Sequence, residues 1–386
     1  MSDPFADIRP YRDDEVPAVL AQLLHNPELL DALASLSMGR LARWVPWLCR
    51  PLVRFYLARQ LRGVQDIYGM QMVVKAYMDR MIADRTGGFT VSGLEQLDAG
   101  RPYLFMSNHR DIAMDPAFTN YALNQGGRDT VRIAIGDNLL TKPWVSDLMR
   151  LNKSFIVKRS VSGPRELLAA SKKLSEYIRH SLLQENSPIW IAQREGRAKD
   201  GIDRTEPAVL KMLSMSRDKQ ASTLSRHIRE LGIVPVSIAY EVDPCDALKA
   251  RELYQRATTG SYIKSEQEDV SSIGRGISGQ KGRVHVSFGT ALAGEYETAD
   301  DIARAVDEQI ISLYCLHPTN LYAYEMLNGH KPELPTNVCQ EAGEWSRKAF
   351  VARIEAMPEE HRAYALGIYA NAVVGKLALA DQHSSC

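Results

Sequence analysis

Cysteine is scarce in this chain of 386 residues: Cys49, Cys245, Cys315, Cys339 and Cys386 are scattered, odd in number, and form no CxxC or Cys/His ligand pattern. That usage argues for a reducing compartment and against a structural zinc, and no metal or cofactor is expected. An excess of one charge is also lacking. Lys+Arg and Asp+Glu each number 47 and the pI is near 7.1, so no global field draws the protein to nucleic acid. No unbroken apolar run of 18 residues exists, which by that test excludes a spanning helix. The first residues, Met-Ser-Asp-Pro-Phe-Ala-Asp-Ile-Arg, have neither a basic n-region nor an apolar h-region. A cytoplasmic location is the expectation. The remainder, 45% hydrophobic and 24% charged, is ordinary for a globular protein, with room for one large domain or two to three smaller ones.

Hydrophobic periodicity divides the chain. Residues 1–87 read as a helical region, with apolar spacing over Val16–Leu24, Pro27–Leu36 and Val64–Ala83. Within it, Met38–Arg62 carries six arginines (Arg40, Arg43, Arg50, Arg54, Arg59, Arg62), no acid, and Trp44, Trp47, Leu48, Leu52, Phe55 and Leu57. A cationic, tryptophan-bearing amphipathic stretch suits the headgroup layer of an anionic membrane. The alternative is a helical pair that packs its aromatic face on the protein while the arginine tips reach water. Pro46 and Pro51 predict two short helices rather than one.

Residues 88–326 alternate strand and helix signals, as an α/β domain does. Strands are expected over Phe89–Leu94, Pro102–Ser107, Val131–Ile135, Lys153–Lys158, Pro188–Ala192, Ile233–Tyr240 and Gly282–Phe288. Pro164–Leu183 and Asp300–Tyr314 read as helices within this region. The linker Asn328-Gly-His-Lys-Pro-Glu-Leu-Pro335 then leads to a helical extension over 336–386, with patterns at about 341–356 and 359–380.

The segment Tyr103-Leu-Phe-Met-Ser-Asn-His109-Arg-Asp-Ile-Ala-Met-Asp115-Pro116 delivers an imidazole to the end of a buried strand and a carboxylate within two helical turns. A base held by an acid is the minimal unit for taking a proton from a hydroxyl. The plainer reading is a strand-end histidine bonded to backbone, with Asp115 capping a helix that starts at Pro116. Further on, Phe155-Ile-Val-Lys158-Arg159-Ser160 and Gln193-Arg194-Glu195-Gly196-Arg197-Ala198-Lys199 place basic residues after apolar strands. In an open α/β sheet, ligands collect beyond the carboxyl ends of the strands. Lys158, Arg159, Arg197 and Lys199 would there suit a phosphate, with arginine offering the forked contact. Taken one at a time, each cluster reads as a solvated face rather than a binding site.

In combination and in order, these blocks resemble the glycerol-3-phosphate and lysophosphatidate acyltransferase superfamily over about residues 89–290. Asn108-His109 with Asp115 resembles the His/Asp motif, whose histidine is the general base and whose aspartate orients the ring. Phe155–Arg159 resembles the second block, Arg194–Lys199 the phosphate-binding third, and Gly232–Val236 the fourth. Asp137-Asn-Leu-Leu followed by Pro143 is similar to the soluble plastid-type glycerol-3-phosphate acyltransferases. Two departures stand out. Arg110–Met114 put five residues between His109 and Asp115 where the family usually has four, leaving Asp111 as a rival orienter. Aligning Arg197 and Lys199 with the family's basic positions displaces Glu195 by one.

The resemblance implies a mixed, largely parallel sheet flanked by helices. It also implies transfer of an acyl group from acyl-CoA or acyl carrier protein to a hydroxyl of a glycerol-phosphate or lysophospholipid-type acceptor. His109 and Asp115 would be catalytic, and Lys158, Arg159, Glu195, Gly196, Arg197 and Lys199 would bind substrate, with peripheral contact to the membrane. An acyltransferase for another hydroxylated lipid, or a catalytically silent lipid-binding protein, is the alternative. Gly274-Arg-Gly276-Ile-Ser-Gly279 fits GxGxxG in the wrong context and reads as a turn before Val284. His285 needs no role, His317 reads as a helix-end residue, and His180 and His227 as surface or cap groups.

Overall fold

The computed structural model describes residues 3–38, 46–265, 268–336 and 338–384. All seven expected strands form: β1 Gly88–Ser92, β2 Leu104–Ser107, β3 Arg132–Gly136, β4 Ser154–Val157, β5 Ile189–Ala192, β6 Ile233–Tyr240 and β7 Arg283–Phe288. The architecture is α/β, with a mixed, mostly parallel sheet and flanking helices. Two compact units divide the chain: Met1–Asp79 with Arg132–Lys173, and Arg80–Val131 with Leu174–Cys386.

In the larger unit, β2 pairs in parallel with both β5 and β6, β6 pairs antiparallel with β7, and β7 pairs in parallel with β1. Because β2, β5 and β6 run the same way, their carboxyl ends share one edge. These strands are continuous apolar runs because both faces are covered. Leu104, Ile189, Ile233, Val236, Ile238, Val284 and Val286 are fully buried. Helix Met114–Gln125 buries Phe118, which stacks on Phe89 at 5.4 Å and meets Tyr240 edge-on at 5.8 Å.

The helices after the strands also belong to this unit's interior. Phe350, Ile354, Ala365, Leu366 and Tyr369, from Arg347–Glu355 and Glu359–Ser384, form one apolar cluster with Ala250 and Ala323. The Tyr369 hydroxyl donates to Asp246 at 2.6 Å, and Arg353 pairs with the same carboxylate at 2.7 Å. No unbroken apolar run marks Glu359–Gln382 in the sequence. Its mean hydropathy of 1.4 nevertheless makes it, among the described residues, the one helix long and apolar enough to cross a membrane. Here Ala365, Leu366, Tyr369, Ala370 and Val373 are buried in the protein.

In the smaller unit, β3 and β4 pair in parallel. Helix Pro46–Gln60 runs through Pro51, so the expected break at Pro51 does not occur; residues 39–45, with Arg40, Arg43 and Trp44, lie outside the described residues. The helix buries Cys49 and Val53 against Leu30 and Ala34. Trp47, Leu52, Phe55 and Tyr56 stay exposed, so the aromatic face does not pack on the protein as one reading had it.

Three other expectations are corrected. Gly274–Ser278 forms the last turns of helix Glu268–Ser278 rather than a turn, since glycine tolerates a helix when its neighbours support one. His227 is buried, its Nε2 on the Leu213 carbonyl at 3.1 Å. Cys315 and Cys339, 24 residues apart, form a disulfide, against the reducing compartment expected from the cysteine usage.

Candidate functional site

His109 follows β2 directly, and its place is set by its neighbours. Asn108 is buried and pairs reciprocally with Ile238 of β6: its amide donates to the Ile238 carbonyl at 3.1 Å, and the Ile238 N–H donates to its Oδ1 at 2.8 Å. The next residue must therefore turn out of the sheet edge. His109 does so with its side chain 13% exposed, its ring meeting Trp190 edge-on at 5.9 Å. Nδ1 lies 2.8 Å from Asp115 Oδ2.

The five-residue gap closes because the turn bonds to the same carboxylate. The backbone N–H groups of Arg110 and Asp111 donate to Asp115 Oδ2 at 2.6 and 2.9 Å, and the Tyr240 hydroxyl donates to Oδ1 at 2.7 Å. Asp115 is fully buried. Asp111, the rival, turns away from the ring. Its Oδ1 accepts from the N–H groups of Ala113 and Met114 at 3.0 and 2.9 Å, starting the helix. Burial, then the neighbouring Asp115 charge, pushes the Asp111 carboxyl above its usual range.

The third basic block is brought to this turn through backbone. Ala198 N–H donates to the His109 carbonyl at 2.8 Å, so Arg197 and Lys199 flank a residue bonded to His109 itself. Gly196 turns at φ +73°, a left-handed conformation suited to glycine. Arg197 reaches Ser272 Oγ at 3.3 Å, whereas Lys199 is paired with the buried Glu252 at 2.6 Å. Burial pulls the Lys199 ammonium below its ordinary range, against the pull of Glu252. Glu195 is exposed, its N–H directed to Glu206 at 3.4 Å.

Beneath the turn, Arg110 pairs with Asp203 at 2.7 Å and donates to the Gly201 carbonyl at 3.1 Å. The buried Lys249 donates to the Arg110 carbonyl at 2.8 Å and pairs with Asp243. Burial would raise Asp243, but Lys249 outweighs it and holds that carboxyl low. Tyr240, Asp203, Lys249 and Asp243 carry no local signal in the sequence. Pairing of β2 with β6 and β5, the loop after β5 that carries Asp203, and the loop and helix after β6 that carry Asp243 and Lys249 bring them here.

Lys158 and Arg159 follow β4 in the smaller unit. There Lys158 is paired with Asp7 at 2.5 Å, and Asp7 also takes Lys173 at 2.6 Å. The Arg159 and Ser160 N–H groups each donate to Asp137 at 3.1 Å, which gives the Asp137-Asn-Leu-Leu stretch a structural task. Among the described residues, one group of metal-type ligands gathers: His285, Cys315 and Cys339, within 4.8 Å of one another. Both sulfurs are joined to each other, and His285 bonds Thr90 at 2.7 Å and Ser92 at 2.9 Å.

The class that emerges is an α/β protein with a buried acid–histidine pair and a basic loop at the carboxyl ends of parallel strands. Residues 88–239, which hold β1 to β5, all of β6 but Tyr240, and the loops that carry His109, Lys158 and Arg197, match the family model Acyltransferase. Over those residues the chain carries an acyltransferase-family domain. No curated protein matches the chain. Among solved structures it is similar to the 1-acyl-sn-glycerophosphate (LPA) acyltransferase PlsC from Thermotoga maritima. Identity is 14% over 74% of this chain and 95% of that one, with a TM-score of 0.36.

Proposed function

We propose that this acyltransferase moves a fatty acyl group from acyl-CoA or acyl carrier protein to a hydroxyl of a glycerol-phosphate or lysophospholipid-type acceptor. One observation carries the reading: the His109–Asp115 pair at 2.8 Å, with Arg197 beside it through the Ala198 bond to His109. With Nδ1 donating to Asp115, Nε2 is the free lone pair. It takes the acceptor proton as the hydroxyl oxygen attacks the thioester carbonyl. The C–S bond breaks, the imidazolium returns the proton to the departing thiolate, and ester and thiol leave. Asp115 fixes the tautomer and stabilises the transient imidazolium. Arg197 holds the acceptor phosphate, turning a bimolecular encounter into a positioned one. Lys199, Gly196 and Glu195 shape that loop. Lys158 and Arg159 complete the proposal as further acceptor ligands on the strength of residue type and their place in the sequence.

Acyl transfer from labelled acyl-CoA and acyl carrier protein, assayed against phosphorylated and neutral hydroxylated lipids, tests this. His109→Ala should lower kcat by about 10²–10⁴-fold, the usual worth of a general base. Arg197→Ala should raise KM for phosphorylated acceptors alone. Lipid binding without turnover, unchanged in His109→Ala, would instead establish a silent lipid-binding protein.

Membrane contact at the smaller unit is part of the proposal. Trp47, Leu52, Phe55 and Tyr56 are exposed on the helix that also exposes Arg50, Arg54 and Arg59, the composition of an interfacial helix. Co-sedimentation with anionic vesicles should weaken on replacing Trp47 and Phe55 by serine, and unchanged binding removes this part.

A further inference from the structure

We propose that Tyr240 is a positioning residue of the acyl-transfer site, a third member that acts on His109 through Asp115. The inference rests on the His109–Asp115 reading and extends it to a residue on a different strand.

The geometry is a relay across the sheet edge. The Tyr240 hydroxyl donates to Asp115 Oδ1 at 2.7 Å, and Asp115 Oδ2 faces His109 Nδ1 at 2.8 Å. Each carboxylate oxygen thus serves one ring. Without the Tyr240 hydroxyl, Oδ1 loses this donor and the carboxylate is freer to pivot about its Cβ–Cγ bond. The other donors to Asp115, the N–H groups of Arg110 and Asp111, belong to the turn that moves with His109. Among the described residues, Tyr240 is the tie from that carboxylate to a separate element. That element is also the one that clamps Asn108, through Ile238 two residues earlier. Alternation along the strand points Ile238 and Tyr240 the same way. β6 therefore grips the histidine turn on both sides, before the base and at its acid.

Tyr240 suits the task. It is buried at the end of β6, its ring edge-on to Phe118 at 5.8 Å. Burial, then the Asp115 charge, raises its hydroxyl well above the ordinary range, so it stays a donor wherever the enzyme works. A phenol held as a permanent donor lowers the charge density on Asp115 and keeps it from over-stabilising the imidazolium. A base must release its proton to the leaving thiolate, so that restraint favours turnover. The longer turn between His109 and Asp115 gives a reason for such a brace.

Tyr240→Phe removes one oxygen and keeps the ring packing, and near-ultraviolet circular dichroism confirms the fold. The expected result is a kcat about three- to thirtyfold lower, within the worth of one hydrogen bond to a charged group, with acceptor KM little changed. The acid limb of the kcat/KM profile should move to higher pH, because a carboxylate with one donor fewer holds the imidazolium more tightly. Net charge is unaltered, so the neighbouring Asp111, Asp243, Lys249, Arg110, Asp203 and Arg197 exert the same field in both proteins. The downfield Nδ1–H proton resonance of His109 should shift. In an Asp115→Asn background, Tyr240→Phe should add little, since both changes act on one link.

A folded Tyr240→Phe enzyme with unaltered kcat, pH profile and His109 resonance overturns the proposal, as does full additivity with Asp115→Asn. If His109→Ala retains activity, it is the underlying acyl-transfer reading that fails.

Discussion

Replacing Lys249 by methionine isolates the groundwork under the histidine turn. Its side chain is 1% exposed, pairs with Asp243, and donates to the Arg110 carbonyl at 2.8 Å, one residue beyond His109. Methionine keeps most of the stem volume, so packing loss is small. The charge loss is not, because Asp243 then remains as an unpaired buried carboxylate. Removing one partner of a buried pair costs about 3–5 kcal/mol, mostly from the charge left behind. Replacing both with near-isosteric neutral groups should recover much of that. In the double variant Lys249→Met/Asp243→Asn, the introduced amide oxygen can still accept from the Cys245 N–H, as Asp243 Oδ1 does at 2.8 Å. Urea unfolding, followed by tryptophan fluorescence, reads the single and double variants against wild type. The single variant should lose about 3–5 kcal/mol and the double variant under half as much. A single variant within about 1 kcal/mol of wild type would refute the argument, because that is the scale of a solvent-screened pair. A double variant as unstable as the single would refute it too, by placing the cost in packing rather than in charge.

Two further outcomes follow from buried groups elsewhere in the larger unit. Burial depresses His317 from the usual 6.5 to about 4, with Glu241 pulling the other way, so the folded state excludes a proton the unfolded chain accepts. The resulting stability is complete above pH 6.5 and is lost as pH falls toward 4, by about 3 kcal/mol in all; an acid-unfolding midpoint unmoved in His317→Gln would contradict this. Gly201 sits at φ +80°, and an added Cβ would overlap the Ile368 carbonyl oxygen, so Gly201→Ala should cost about 2–4 kcal/mol and loosen Arg110, whose guanidinium bonds the Gly201 carbonyl. A thermal melt superimposable on wild type would show that the two backbones are not in contact.

The seven strands were legible because each is a short apolar or alternating run bounded by turn residues, and β6 matches its expected limits residue for residue. Several of the short helices between them were not. Leu224–Leu231 and Asp246–Thr259 are charged on one face and too short to declare themselves without the sheet they cover. Helix Glu268–Ser278 was hidden by glycines that read as a turn. The pairing of Cys315 with Cys339 was invisible because spacing says nothing about which sulfurs a fold brings together.

Local chemistry alone determined that His109 ends a buried strand, that a carboxylate lies nearby, and that basic residues follow two other strands. Residue type and hydrophobic period are properties of a segment, and a segment suffices for such statements. Which carboxylate meets His109 was a tertiary decision. Asp111 and Asp115 are both within reach along the chain, and the choice fell to Asp115 because Tyr240 and the turn's own N–H groups converge on it. The same holds for Arg197 and Lys199. Their sequence promises two equal cations, but burial opposite Glu252 engages one and sets the other beside Ser272. Partners 53 and 75 residues away are chosen by packing, which no local pattern encodes.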